Sequence, residues 1–268
     1  MNSDHLEDIE NRFEQYIDGY RSDGEMHPFF AVKIEHSQRV ADEARTIAVD
    51  LGWEASECNC AEALGLLHDI GRFSQFEQYG TFSDANSIDH GEEGYRLAGS
   101  LGILSALDDA EASVILDGIR YHNRRAVPEE LPKESLPCLK LIRDADKLDI
   151  LRIVLDQVEK DGFRDLTDML PRITLDLMPS ARVISELKEK HNVGIENVSS
   201  VGDLLLLQLS WIYDFNYPPT YRHLLDRRIP QQLAAHIERS EELDQLVFGM
   251  LEYARTACSR MAAPGQSP

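Results

Sequence analysis

Apolar residues recur along this chain at helical spacing. Leu6, Ile9, Phe13, Tyr16 and Ile17 follow the i, i+3, i+4 rule and predict a first helix. Pro28 suits the start of a second, which runs through His36 to about Leu51 and stops near Gly52. Ala61, Leu64, Leu67 and His68 place a third helix that ends in His68-Asp69-Ile70-Gly71, with Gly71 as its terminator. Between Arg72 and Asp89 the pattern changes. Gly80, Ser83, Asn86 and Ser87 are interleaved with Phe73, Phe76, Tyr79 and Phe82, which predicts an ordered loop with its own aromatic packing. Helices are expected again at about 90–101, 108–122 and 136–158, with a surface loop around Pro128, Pro132 and Pro137. Further helices are expected near 180–191, 200–214, 219–227 and 230–261, and residues 262–268 read as a disordered tail. No sustained alternation of the kind a half-buried strand needs is present, so the fold class is all-α.

Composition narrows the function more than the fold. A chain of 268 residues can bury a sizeable core as one large domain or one and a half. Its 27 basic and 48 acidic residues leave a net charge of -21. Such a surface repels phosphate backbones and anionic lipid, so bulk nucleic-acid binding and membrane binding are not expected. A small anionic substrate is still compatible, because a metal ion and a few local cations can reverse the field inside a cleft. The acidic start has no apolar core and does not read as a signal peptide, and the longest apolar run, Leu204 to Leu207, is far too short to span a bilayer. Cys58 and Cys60 form C-x-C without a second pair at zinc-finger spacing. With Cys138 and Cys258 they read as inert thiols in a reducing, cytoplasmic compartment.

The chemistry lies in an ordered series: His36, His68-Asp69, His90, His122 and Asp146. Each member lies on or beside a predicted helix. Four imidazoles and two carboxylates make a complete ligand set for one or two transition-metal ions. This mixture suits Mn, Fe, Co, Ni or Zn, whereas Mg prefers more oxygen. Neighbouring His68 and Asp69 can converge on one ion, or Asp69 can bridge two, with His36 and Asp146 brought in by other helices as in helical-bundle metal sites. Asp144 and Asp149 compete with Asp146 for the last ligand position. His90 and His122 could hold a second ion or donate to a substrate phosphate.

The order H…HD…H…H…D, with HDIGR after the third helix and DADKLD at the end, resembles the HD-domain superfamily of metal-dependent phosphohydrolases over roughly residues 30 to 160. The resemblance implies an HD-domain helical bundle with additional C-terminal helices. Its expected organisation is a metal-bearing core over 1–165, a helical extension packed on it over 166–261, and the tail. It implies His36, His68, Asp69 and Asp146 as ligands, His90 and His122 as ligands of a second metal or as phosphate contacts, and a divalent transition metal as cofactor. Asp69, Arg72, His90 and His122 are the expected catalytic residues. Asp69 would orient a metal-activated water toward phosphorus, and Arg72 with one or both of His90 and His122 would neutralise the phosphoryl oxygens or protonate the leaving group. Arg72 also reads as a plain surface cation, as do Lys147, Arg124 and Arg125. The sequence after His122 lacks the Gly-Tyr-Pro of cyclic-dinucleotide phosphodiesterases. The same ligand set resembles the di-iron oxygenases of that superfamily, and a non-catalytic ligand-binding protein is a third reading. His5, His27, His191, His223 and His236 fit no such pattern and read as structural. The C-terminal third carries no catalytic motif and is expected to complete the bundle, shape the pocket or form a homo-oligomer.

Overall fold

A computed structural model describes residues 1–161, without the side chain of Asp161, and 173–260. The expected domain boundary at 165/166 and the expected tail at 262–268 lie outside the described residues. The chain divides into two compact units, Met1–Asp149 and Ile150–Pro268.

The first unit opens with α1 (Ser3–Asp18), capped by Asn2, whose side chain accepts from the His5 amide. A short hairpin follows, Arg21–Ser22 paired antiparallel with Glu25–Met26, where only helices were expected. Asp23 and Gly24 turn it with positive φ, a turn chemistry too short to show as alternation. Then come α2 (Pro28–Asp50), α3 (Ala55–Leu67), α4 (Gly71–Tyr79), α5 (His90–Ser100), α6 (Asp109–Tyr121) and α7 (Leu136–Asp161), of which the residues up to Asp149 belong to this unit. Helix α2 packs along α3, α4 on α5, α5 on α6, and α3 touches both α1 and α6. Their shared core holds Ile9, Phe13, Val40, Ile47, Leu64, Leu67, Phe73, Ile115, Ile119 and Leu141, all almost fully buried. Each such side chain contributes about 1.5–3 kcal/mol of burial free energy.

Two expectations around the third helix are corrected. Gly71 does not terminate it; Gly71 begins α4, inside the segment expected to be a loop. The Phe73–Phe76 spacing is one helical turn, and Gly80, at φ 65°, closes the helix in the left-handed conformation. The expected aromatic packing is present. Phe73 stacks on Phe30 at 5.7 Å, and Phe76 lies 4.9 Å from Phe82, whereas Tyr79 is exposed.

The second unit contains α8 (Ala181–Lys190), α9 (Val201–Ser210), α10 (Pro218–Asp226), α11 (Ile229–Ala234) and α12 (Glu241–Ser259). Every residue of α9 is buried, and α8 and α11 pack against it, while α10 packs on α12. The single helix expected over 230–261 is broken: Ser240 caps α12 by accepting from the Leu243 amide. The expected helix at 200–214 gives way to a 3₁₀ turn from Trp211. All four cysteines are free, three of them buried. Among the described residues no helix is long and apolar enough to cross a membrane.

Candidate metal centre

The site is assembled from helix ends. His68 follows the last turn of α3 and His122 follows the last turn of α6. His90 is the first residue of α5, set in place by Asp89, whose carboxylate caps the Gly91 and Glu92 amides. His36 lies within α2. Close backbone approach brings these ends together. A Cβ on Gly65 would lie 2.5 Å from the Ala41 Cα, so α2 and α3 meet more closely than any larger residue allows. A Cβ on Gly71 would lie 2.2 Å from the His90 carbonyl oxygen, so α4 starts against the residue that begins α5.

All four rings are held from the Nδ1 side. His68 Nδ1 lies 2.7 Å from the Gly65 carbonyl oxygen, and His122 Nδ1 lies 2.8 Å from that of Ile119. His36 Nδ1 lies 2.7 Å from Asp149 Oδ2, and His90 Nδ1 lies 2.6 Å from Asp84 Oδ2. Carbonyls and ionised carboxylates only accept, so each Nδ1 is a donor and each neutral ring turns its Nε2 lone pair inward. This is the arrangement of metal-ligating histidines, whose other nitrogen is oriented by an outer partner.

Inside this frame the ligand atoms fall into two halves. His36 Nε2 and His68 Nε2 are 3.3 Å apart, with Asp146 Oδ1 at 3.2 and 3.7 Å from them. His90 Nε2 and His122 Nε2 are 3.0 Å apart. Asp69 stands between the halves. Its Oδ2 lies 3.7 Å from His36 and 3.8 Å from His68, and its Oδ1 lies 3.3 Å from His90 and 3.7 Å from His122. Facing lone pairs at such distances repel unless a proton or cation lies between them. Ligands on one ion at about 2.1 Å, at angles between octahedral and tetrahedral, stand about 3.0–3.4 Å from each other. The donor set therefore fits divalent metal binding, with His36, His68 and Asp146 in one half, His90 and His122 in the other, and Asp69 facing both.

Electrostatics keep the carboxylates charged. Burial pushes Asp69 up, but Lys33, His68 and Arg72 outweigh it and hold its pKa well below the ordinary range. Asp146 is likewise pushed up by burial and pulled well below by His36 and His68. Burial lowers His68. It takes His90 down to about 4 against the opposing pull of Asp84 and Asp69, favouring the neutral ring that a metal needs. His36 goes the other way: burial lowers it, but Asp146 and Asp149 outweigh burial and raise it.

The three aspartates of DADKLD are placed differently. Asp146 points at His36 and His68. Asp149 lies one turn along α7 and braces His36 from behind, itself held by Arg39 at 2.7 Å. Asp144 is buried and belongs to none of the groups in which candidate ligand atoms converge among the described residues. Arg72, expected to face a phosphate, has its Nη1 committed to the Phe82 carbonyl, Asp84 and Gln75. Arg124 pairs with Asp89 at 3.0 Å, and Arg125 is exposed.

Sequence reasoning missed Lys33. Its Nζ lies 2.7 Å from Asp69 Oδ2 and 5.5 Å from the centroid of the Phe82 ring. Lys33 and His36 are one helical turn apart on α2 and share a face, which was a readable signal. It missed Asp84 and Asn123 too, for which no sequence signal exists.

Residues 34–151 match the family model for the HD domain, and all six ligand candidates lie inside that span. The matched stretch is under half of the chain and marks its similarity to a domain of metal-dependent hydrolases. No curated protein and no solved structure matches the chain.

Proposed function

We propose that this protein is a metal-dependent phosphohydrolase acting on a small phosphate ester. The observation that carries the reading is Asp69, placed with one oxygen toward each imidazole pair and with Lys33 against it. When bound, one or two divalent ions would supply Lewis acidity toward phosphoryl oxygen and a water acidified toward neutral pH. The chain's own residues do the rest. His36, His68 and Asp146 hold one half of the centre, His90 and His122 the other, and Asp69 fixes the line between them. Lys33 supplies a compact cation with further N–H donors for a phosphoryl oxygen and neutralises charge that grows there in the transition state. The acidic exterior favours a small substrate over a polymeric polyanion.

The test is metal content on protein prepared without chelator or nickel affinity resin, followed by phosphate release from a panel of monoesters and diesters. Bound Mn, Fe, Co, Ni or Zn with metal-dependent release supports the reading. About two irons with a mixed-valence spin signal and O2 uptake, without phosphate release, would replace it by the oxygenase. No bound metal and none taken up would leave a binding protein.

A further inference from the structure

The segment between α4 and α5 carries Asp84 on a 3₁₀ turn, Asp84–Asn86, in a stretch with no longer element of its own. A carboxylate on such a turn is not placed by helix geometry. Here it is placed by side chains. Asp84 Oδ1 accepts from Arg72 Nη1 at 2.8 Å and from Gln75 Nε2 at 2.9 Å. Its other oxygen, Oδ2, faces His90 Nδ1 at 2.6 Å and accepts from Asn123 Nδ2 at 3.3 Å. One oxygen is thus clamped and the other holds the ring. The same two clamping residues also bind the backbone on either side: Arg72 Nη1 donates to the Phe82 carbonyl at 2.5 Å, and Gln75 Nε2 to the Ile88 carbonyl at 2.9 Å. Gln75 is fully buried, and Arg72 stands in the first turn of α4, next to the glycine that touches the His90 backbone.

We infer that Arg72 and Asp84 are positioning residues for the His90–His122 half of the centre, with Arg72 latching the 82–88 segment so that Asp84 orients His90. The inference rests on the metal centre described above and not on the identity of the reaction. It commits Arg72 Nη1 to the 82–88 segment, while Nε makes no hydrogen bond. Outer partners of ligating histidines are worth about 10–100-fold in metal affinity when removed.

One other path from Arg72 to the metals exists. Its Nε lies 3.4 Å from Asp69 Oδ1, so its loss could act through Asp69 instead of Asp84. A double-mutant cycle separates the two, since coupling through Asp84 disappears once Asp84 is neutral. The experiment is calorimetric and spin-resonance titration of the full-length protein with Mn2+ alone, using Arg72→Ala, Asp84→Asn, the double variant and Arg72→Met. The expected result is two ions per unsubstituted chain, with the weaker one losing about 10–100-fold in each single variant. The tighter ion should change by less than about threefold, and the double variant should be no worse than Asp84→Asn. Arg72→Met should behave like Arg72→Ala, because a thioether offers no N–H to Phe82, Gln75 and Asp84.

Unchanged affinity for both ions in Asp84→Asn would overturn the inference. So would restoration by Arg72→Met, an additive double variant, or a single ion in the unsubstituted protein. If Arg72→Ala does not fold, the isosteric Asp84→Asn and Arg72→Met, which keeps an unbranched stem, still decide it. Because no substrate is present, a protein that cleaves no phosphate ester tests this inference equally well.

Discussion

His36 Nδ1 and Asp149 Oδ2 meet at 2.7 Å across 113 residues of sequence, and Arg39 Nε lies 2.7 Å from the other oxygen of that carboxylate. Asp149 thereby orients a ligating ring without facing the metals. Asp149→Asn should weaken the ion held by His36, His68 and Asp146 by about 10–100-fold while leaving the fold intact. Mn2+ titration with circular dichroism on the same samples measures both. Unchanged affinity would show that His36 needs no brace.

Lys33 makes a different prediction. It touches Asp69 but has no metal-ligand chemistry as an ammonium. Lys33→Met should keep the metal content and lower kcat/KM for a phosphate ester by about 10–100-fold, or about 1.4–2.7 kcal/mol of transition-state stabilisation. Steady-state kinetics beside metal analysis would decide. Loss of metal with kinetics following in proportion would instead make Lys33 part of the ion-binding frame.

Gly71 is constrained by contact. Any Cβ there meets the His90 carbonyl oxygen at 2.2 Å and the Gly94 amide nitrogen at 2.6 Å. Gly71→Ala should cost about 1–3 kcal/mol through forced separation of α4 and α5. Gly99 in α5 has open space where its Cβ would be, so Gly99→Ala is the control and should stabilise by about 0.4–1 kcal/mol. Thermal melts of both variants give the comparison, and equal shifts would contradict it.

In the second unit, Asp203 accepts from the Ser180 amide at 2.7 Å, the Ser199 amide at 3.0 Å and the Ser199 hydroxyl at 2.9 Å. Burial would raise its pKa, but these donors outweigh burial and lower it from 3.8. Because the folded value is the lower one, the stabilisation is complete above the unfolded value and is lost as pH falls through the folded one. Asp203→Asn should therefore cost about 2 kcal/mol at pH 7, within the range for hydrogen bonds to charged groups. The gap should narrow toward pH 3. Urea titrations at the two pH values test this, and an equal gap at both would refute it.

Much of the centre was legible in the sequence because metal ligands are restricted to few residue types in a fixed order. His36, His68, Asp69, His90, His122 and Asp146 lie within a few ångströms of one another in the structure. What surrounds them was less legible for physical reasons. Asp84 reaches His90 from an irregular turn, where periodicity carries no information. Asp149 and Lys33 are each one helical turn from a ligand, and their positions could be read only after the ligand itself was fixed. Gly71 looked like a helix end because glycine serves both left-handed caps and close helix contacts, and only the partner backbone distinguishes the two uses. The break before α12 did have a local sign, Ser240 followed by Glu241 and Glu242, which is an N-cap with an acidic first turn.

The Nδ1 contacts of the four histidines have one more consequence. Each ring is fixed in tautomer and direction by groups of the folded chain, so the rotational freedom of the ligands is given up during folding. An arriving cation meets a finished cage. Binding then carries no further cost of ordering those four rings.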